Sequence, residues 1–200
     1  MDFMQVFTLV TGVIYIILEI RQKNLMWVVG IATSLAAMWV FFRQGLYASF
    51  GLNTYYLITA FIGLWQWGRD RQRLGTGDSG KSKSKKKSTP SIHLNRLQWK
   101  TVIISAVVLV IGTFGMAQLM ELLENPMSYL DSAVTVMSAV ATWWLVRAYI
   151  QQWWLWIVAD ALTTALCIHQ GMWLMAILYG AYSLSAIYGY IHWKRHGQYI

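Results

Sequence analysis

An all-helical integral membrane protein with seven transmembrane spans is what this sequence predicts, on three observations. Charged residues make up only 12% of the 200-residue chain and hydrophobic ones 57%, whereas a soluble domain averages about 25% charged. The charges are also confined. Residues 3–18, 25–42, 45–68, 101–120, 132–146 and 161–193 contain none, and a helix needs about 20 mostly apolar residues to cross a bilayer. Finally, the apolar runs are continuous and do not alternate. Backbone groups in lipid must be paired within the segment, so these runs are helices and not barrel strands.

The elements follow in order. The first span covers 3–20. It has no basic leader and no small-residue cleavage site behind it, so it is not a removable signal. The second span, 25–42, starts after the polar turn Arg21-Gln22-Lys23-Asn24, and the third covers 46–67. Residues 70–98 form a basic linker. Its Lys-rich part, 81–87, lies among Ser and Gly; the competing reading, a nucleic-acid or lipid contact, yields to a solvated segment that fixes topology. A fourth span follows at 99–119, then 130–149, 152–169 and 172–193. Both prolines, Pro90 and Pro126, fall between spans, whereas Gly63 and Gly189 fall inside them, where small residues let helices approach. The single cysteine, Cys167, excludes an internal disulfide.

Charge placement orients the chain. With the N-terminus outside, 15 of the 16 basic residues lie on the inner side, and Arg43 alone lies outside. The positive-inside rule then predicts an outer N-terminus and a cytoplasmic C-terminus. The expected location is the bacterial inner membrane.

The sequence also repeats itself. Shifted by 126 positions, Arg21 falls on Arg147, Trp27 on Trp153, Ile31 on Ile157, Gln44-Gly45 on Gln170-Gly171, Tyr56 on Tyr182, Gly63 on Gly189 and Trp67 on Trp193. A three-helix unit ends on the opposite face from its start. Repeating it in the same orientation needs an odd number of helices between, and the span 99–119 supplies one. The organisation expected is a first bundle at 1–69, the linker 70–98, a linker helix at 99–120 and a second bundle at 130–195. Parallel repeats of this 3+1+3 kind occur in transporters such as SWEETs, with the site near midplane between the halves.

One residue breaks the membrane rules. Asp160 lies eight positions beyond Gln152, about 12 Å along a helix at about 1.5 Å per residue. A carboxylate there costs about 2.5–3.5 kcal/mol on insertion scales, and no Lys or Arg lies within its own span; Lys100 and Arg147 sit at the ends of theirs. It faces a wet cavity, takes hydroxyl donors, is protonated, or awaits a cationic ligand. Trp153, Trp156, Asp160, Thr163 or Thr164, and Cys167 share one helix face by their spacing of three and four, and flat cations are drawn to both indoles and carboxylates. Trp153 has an alternative role as an interfacial anchor, as do Trp27, Trp65, Trp67, Trp99 and Trp193. Trp154 points off the face. Asn53 and Tyr56 on the third span, with Tyr179 and Tyr182 on the seventh, are candidates to bracket the cavity, packing being the alternative. Glu19 is expected at the inner interface beside Arg21. His93, His169, His192 and His196 fall in loops or helix ends without metal-ligand spacing, so no metal or cofactor is expected. With no nucleophile–base pair, an enzyme is not expected.

The chain resembles the Pnu family of vitamin-precursor transporters. The resemblance rests on G-V-I-Y-I-I-L-E-I from Gly12, Gly45-Leu46-Tyr47, Y-Y-L-I-T-A-F-I-G-L-W-Q-W from Tyr55, the ending from Tyr182 to Trp193, and W-x-x-W-x-x-x-D across Trp153, Trp156 and Asp160. It implies facilitated diffusion of a small-molecule cargo across the lipid bilayer, trapped by cytosolic phosphorylation. In the nicotinamide riboside branch the last motif position is typically Asn; Asp there is similar to the thiamine branch, so thiamine is the cargo expected. Nicotinamide riboside transport, or a substrate-binding subunit of a larger energised transporter, is the alternative.

Overall fold

The computed structural model describes residues 13–43, 47–76, 92–122 and 129–199. Seven helices run in order: α1, helical over 13–20, then α2 (Leu25–Arg43), α3 (Tyr47–Thr76), α4 (Trp99–Leu122), α5 (Tyr129–Val146), α6 (Gln152–His169) and α7 (Trp173–His196). Each predicted span overlaps one of them, and residues 3–12 of the first lie outside the described residues. The Lys-rich part of the linker lies outside the described residues.

Three differences have physical causes. Helix α3 continues past the expected end at 67 to Thr76, because its polar last turns are held by their neighbours: Arg71 donates to the carbonyl of Gln22 and Asp70 is buried. Helix α5 stops at Val146 and not at 149, because Ala148 takes a left-handed φ of 54°, which no helix continues through. The fold is also not purely helical. Ile92–Leu94 (β1) pairs in parallel with Gly197–Tyr199 (β2), in the register Ile92↔Gly197, His93↔Gln198 and Leu94↔Tyr199. The linker expected at 70–98 is thus ordered at both ends.

Two turns have the same construction. Gln22 takes a φ of 48°, and Ala148, 126 residues on, one of 54°. The N–H of Lys23 donates to the Leu18 carbonyl at 2.9 Å, and that of Tyr149 to Trp144 at 3.0 Å. Met26 then donates to Lys23 at 3.0 Å, and Gln152 to Tyr149 at 3.1 Å.

The chain divides into two compact units. The first holds the described residues up to Asn95 together with Val146–Ala148 and those from His192 onward. Its centre is a stack of indoles. Trp27 meets Trp67 edge-on at 5.0 Å, and Trp67 meets Trp193 at 6.4 Å; none of the three is more than 1% exposed. Helices α2 and α3 pack together where Gly63 receives the ring of Trp27; a Cβ on Gly63 would lie 2.5 Å from it.

The second unit holds Arg96–Leu145 and Tyr149–Ile191. Here Trp153 sits on Gly189 in the same manner, again 2.5 Å from where a Cβ would be. Gly112 of α4 receives Val136 of α5, and the Trp144 indole donates to Ser105 at 3.0 Å. Helix α4 leaves Ile103, Ile104, Val110, Ile111 and Phe114 exposed, the apolar surface of a helix in contact with lipid.

Candidate functional site

Helix α6 turns the predicted residues into one face. Trp153, Asp160 and Cys167 are buried and Trp156 is half-buried, whereas Trp154 is 54% exposed and meets Tyr190 edge-on at 5.2 Å. The spacing argument therefore separates Trp154 from the rest. Within the face, the two indoles differ. Trp153 is 2% exposed and seated on Gly189, the position of a packing residue. Trp156 is less enclosed, and its indole N–H is shielded from solvent without a hydrogen-bond partner. A buried unpaired donor is costly, and a ligand acceptor would relieve it.

Asp160 is buried. The hydroxyls that offered to pair with it are engaged elsewhere: Thr163 donates to the carbonyl of Ala159 at 2.8 Å, and Thr164 to the backbone carbonyl of Asp160 at 2.7 Å. Among the described residues of its unit, no donor reaches the carboxylate. Helix α7 brings Tyr179 and Tyr182 into electrostatic reach of Asp160, and Tyr179 into that of Cys167. The two phenol rings stand edge-on at 5.9 Å and 86°. Ser183, which the sequence did not single out, ties the helices together by donating to the Ile157 carbonyl at 3.5 Å. The second unit thus gathers a carboxylate, an unpaired indole N–H and two phenols.

Asn53 and Tyr56 lie half-buried on α3, in the first unit. Tyr56 meets Tyr55 at 5.7 Å and is in electrostatic reach of Tyr15. Glu19, expected at the interface, is instead buried and lies near Tyr15. The positions that the repeat aligns with Asp160 and Trp156 are Ser34, which is buried, and Gly30, where an added Cβ would lie 3.5 Å from the Tyr15 ring. Of the tryptophans offered as interfacial anchors, Trp65 and Trp99 are 63% and 75% exposed. Trp27, Trp67 and Trp193 are buried and belong to the core, because each ring has a helix surface or a carbonyl to cover it.

His93 is not in a loop but in β1. Its backbone N–H donates to the Gln22 side chain at 2.7 Å and its carbonyl accepts from the same amide at 2.8 Å. The ring is 1% exposed, lies 3.8 Å from Asp70, and is pushed down to a pKa of about 4 by burial and then by Arg71. Among the described residues no group of three or more His, Cys, Asp or Glu side chains has metal-ligand geometry.

A seven-helix chain with this acidic, aromatic face matches a known family. The model for the family described as nicotinamide mononucleotide transporter matches residues 2–195. The chain belongs to this family. It is therefore a multi-pass membrane transporter and not an enzyme. A nicotinamide riboside transporter PnuC of Neisseria mucosa is 26% identical over 204 residues, spanning 94% of this chain and 72% of that protein. One of Haemophilus influenzae is 28% identical over 140 residues, covering 70% of this chain and 56% of that protein. A crystal structure of the vitamin B3 transporter PnuC shares the fold at a TM-score of 0.65, with 24% identity over 94% of this chain and 80% of that one. Both curated relatives are named for nicotinamide riboside, so these likenesses do not support the thiamine branch that Asp160 suggested.

Proposed function

We propose that this chain carries nicotinamide riboside across the bacterial inner membrane by facilitated diffusion, with phosphorylation in the cytosol trapping the cargo. The observation that carries the reading is Asp160, a buried carboxylate to which its own unit supplies no donor, within reach of Tyr179 and Tyr182. A pyridinium ribonucleoside offers what that face lacks. Its ring is a flat cation for the carboxylate and Trp156, and its ribose hydroxyls exchange hydrogen bonds with the phenols and the indole. The names of the relatives support the same cargo. Trp153 is assigned to shaping the cavity wall, and Asn53 and Tyr56 on α3 are proposed as further cargo-binding residues.

Thiamine is the second reading, favoured by the Asp at position 160 where the nicotinamide riboside branch typically has Asn. It too has a cationic ring, and its aminopyrimidine offers an amino donor to the carboxylate. Calorimetry on the purified protein with both compounds decides. We expect nicotinamide riboside to bind at least tenfold more tightly; the reverse order returns the chain to the thiamine branch.

The repeat reading gives two three-helix bundles, 1–69 and 130–195, in parallel around a linker helix at 99–120. It is supported by the identical turns at Gln22 and Ala148 and by the two Trp-on-Gly seats. A self-sufficient carrier suits such a repeat better than a subunit of an energised complex does. The N-terminus is assigned outside and the C-terminus inside, on the charge split.

A further inference from the structure

The indoles of Trp67 and Trp193 are 126 residues apart, and so are the carbonyls they bind. Trp67 donates to Val146 at 3.2 Å, and Trp193 donates to Ile20 at 2.9 Å. Under the repeat, Val146 is the counterpart of Ile20. Each bundle's last helix thus donates its indole to the end of the other bundle's first helix, and the exchange is reciprocal. We propose that this end of the molecule is a permanent joint that holds the two bundles together throughout the transport cycle, and is not the gate that parts to release cargo. The inference rests on the two-bundle reading, and not on which cargo is carried.

Several features distinguish a joint from a gate here. The three indoles at the centre are among the largest fully buried side chains. Gln22 grips His93 with both ends of its side-chain amide, and Arg71 holds the carbonyl of Gln22. Asn95 ties the linker to the other turn: its N–H donates to Ala148 at 3.1 Å, and its side chain to Arg147 at 2.9 Å. The β1–β2 pair adds the C-terminal segment, with Leu94 packed on Gly197. These pieces come from both bundles and from the linker, yet they cluster as one compact unit.

Opening such an assembly would break all of these bonds together and bring three indoles into water. The two states of a carrier must lie close in free energy to interconvert, so a gate is built from few contacts. The buried hydrogen bonds from Trp67, Trp193 and Gln22 have the opposite property: made together between distant segments, they hold one arrangement. The moving contacts therefore lie elsewhere, and this end is where motion is pivoted.

Two measurements test the joint. In the first, amide hydrogen exchange is followed in nanodiscs without cargo. The amides of His93 and Asn95 should exchange at least about a hundredfold slower than in an unstructured chain, because exchange follows the population that opens. Protection below that factor means the contacts part routinely and overturns the proposal. In the second, Leu94→Cys and Tyr199→Cys, register partners in β1 and β2, are joined as a disulfide by mild oxidation. Buried Cys167 stays in place, and the identically treated parent is the control. Uptake of labelled nicotinamide riboside into liposomes should keep at least half the unbridged rate; loss of uptake on bridging makes this end a gate. If the parent takes up none, the cargo assignment fails, and the exchange result still decides the joint.

Discussion

At the residue scale, Asp160 was legible because a charge inside an apolar span has no ordinary explanation. Its neighbours were legible from the helical period alone. What spacing did not separate was Trp153 from Trp156, which share a face but differ in burial and contacts. That difference depends on Gly189, a contact between α6 and α7 that only the fold brings about. Asp160→Ala should abolish measurable binding or weaken it ten- to hundredfold, since a hydrogen bond to a charged group contributes roughly 1.5–3 kcal/mol. The melting temperature should hold or rise, because a lone acid costs about 2.5–3.5 kcal/mol in the bilayer centre. Calorimetry and thermal unfolding of the same preparation check both; normal binding, or a large fall in melting temperature, makes Asp160 structural. Trp156→Ala should cost about 1 kcal/mol or more of affinity through the lost ring contact, and Trp154→Ala almost nothing. Equal losses would mean that the binding face is misassigned.

At the scale of elements, helix positions were legible and helix ends were not. The ends depend on contacts from distant segments: Ala148 in its left-handed turn ends α5, and Gln22 and Arg71 extend α3. The three-residue strands carry no periodicity long enough to read, and they form because β1 and β2 lie beside each other in the fold. The glycine seats make a clear forecast. Gly63→Ala and Gly189→Ala place a methyl 2.5 Å from an indole, and overpacking of this kind costs typically about 1–3 kcal/mol. Both should lower the melting temperature by similar amounts. Gly115→Ala on α4 meets nothing within 4 Å and should stabilise by up to about 1 kcal/mol through helix propensity. A mild effect at Gly63 or Gly189 would show that the Trp rings relocate easily.

His93 gives β1 a pH dependence. Its folded pKa of about 4 lies below the ordinary 6.5, so the fold keeps the ring neutral. The native state resists the proton that the unfolded chain accepts. Stability is therefore complete above about pH 6.5 and falls with acidification until about pH 4. The loss is at most about 3 kcal/mol at 1.36 kcal/mol per unit, and the Asp70 carboxylate 3.8 Å away offsets part of it. Melting curves between pH 7 and pH 4 should slope less for His93→Gln than for the parent. Parallel slopes would place the titrating group elsewhere.

For the whole molecule, the family was legible from motifs spread along nearly the entire chain, whereas the cargo was not. Nicotinamide riboside and thiamine are both flat ring cations, and one acidic residue attracts either. Discrimination depends on the positions of the groups that meet the ligand, which spacing cannot give. The mode of transport is bound more tightly. An energised carrier needs a nucleotide site or a group that couples an ion. The G-x-x-x-x-G-K-S pattern at residues 75–82 overlaps the end of helix α3 and follows no strand, so it does not open a P-loop, and within the span 152–169 Asp160 stands without a Lys or Arg. Purified protein in liposomes should therefore equilibrate nicotinamide riboside without ATP and without an imposed ion gradient, and the internal concentration should rise to the external one and stop. An uncoupler should leave the rate unchanged. Asp160 is the one group positioned to make this expectation wrong: a carboxylate that binds cargo in one state and a proton in the other would couple the two flows. Accumulation above the outside concentration that collapses with an uncoupler, and disappears in Asp160→Asn, would show that coupling directly.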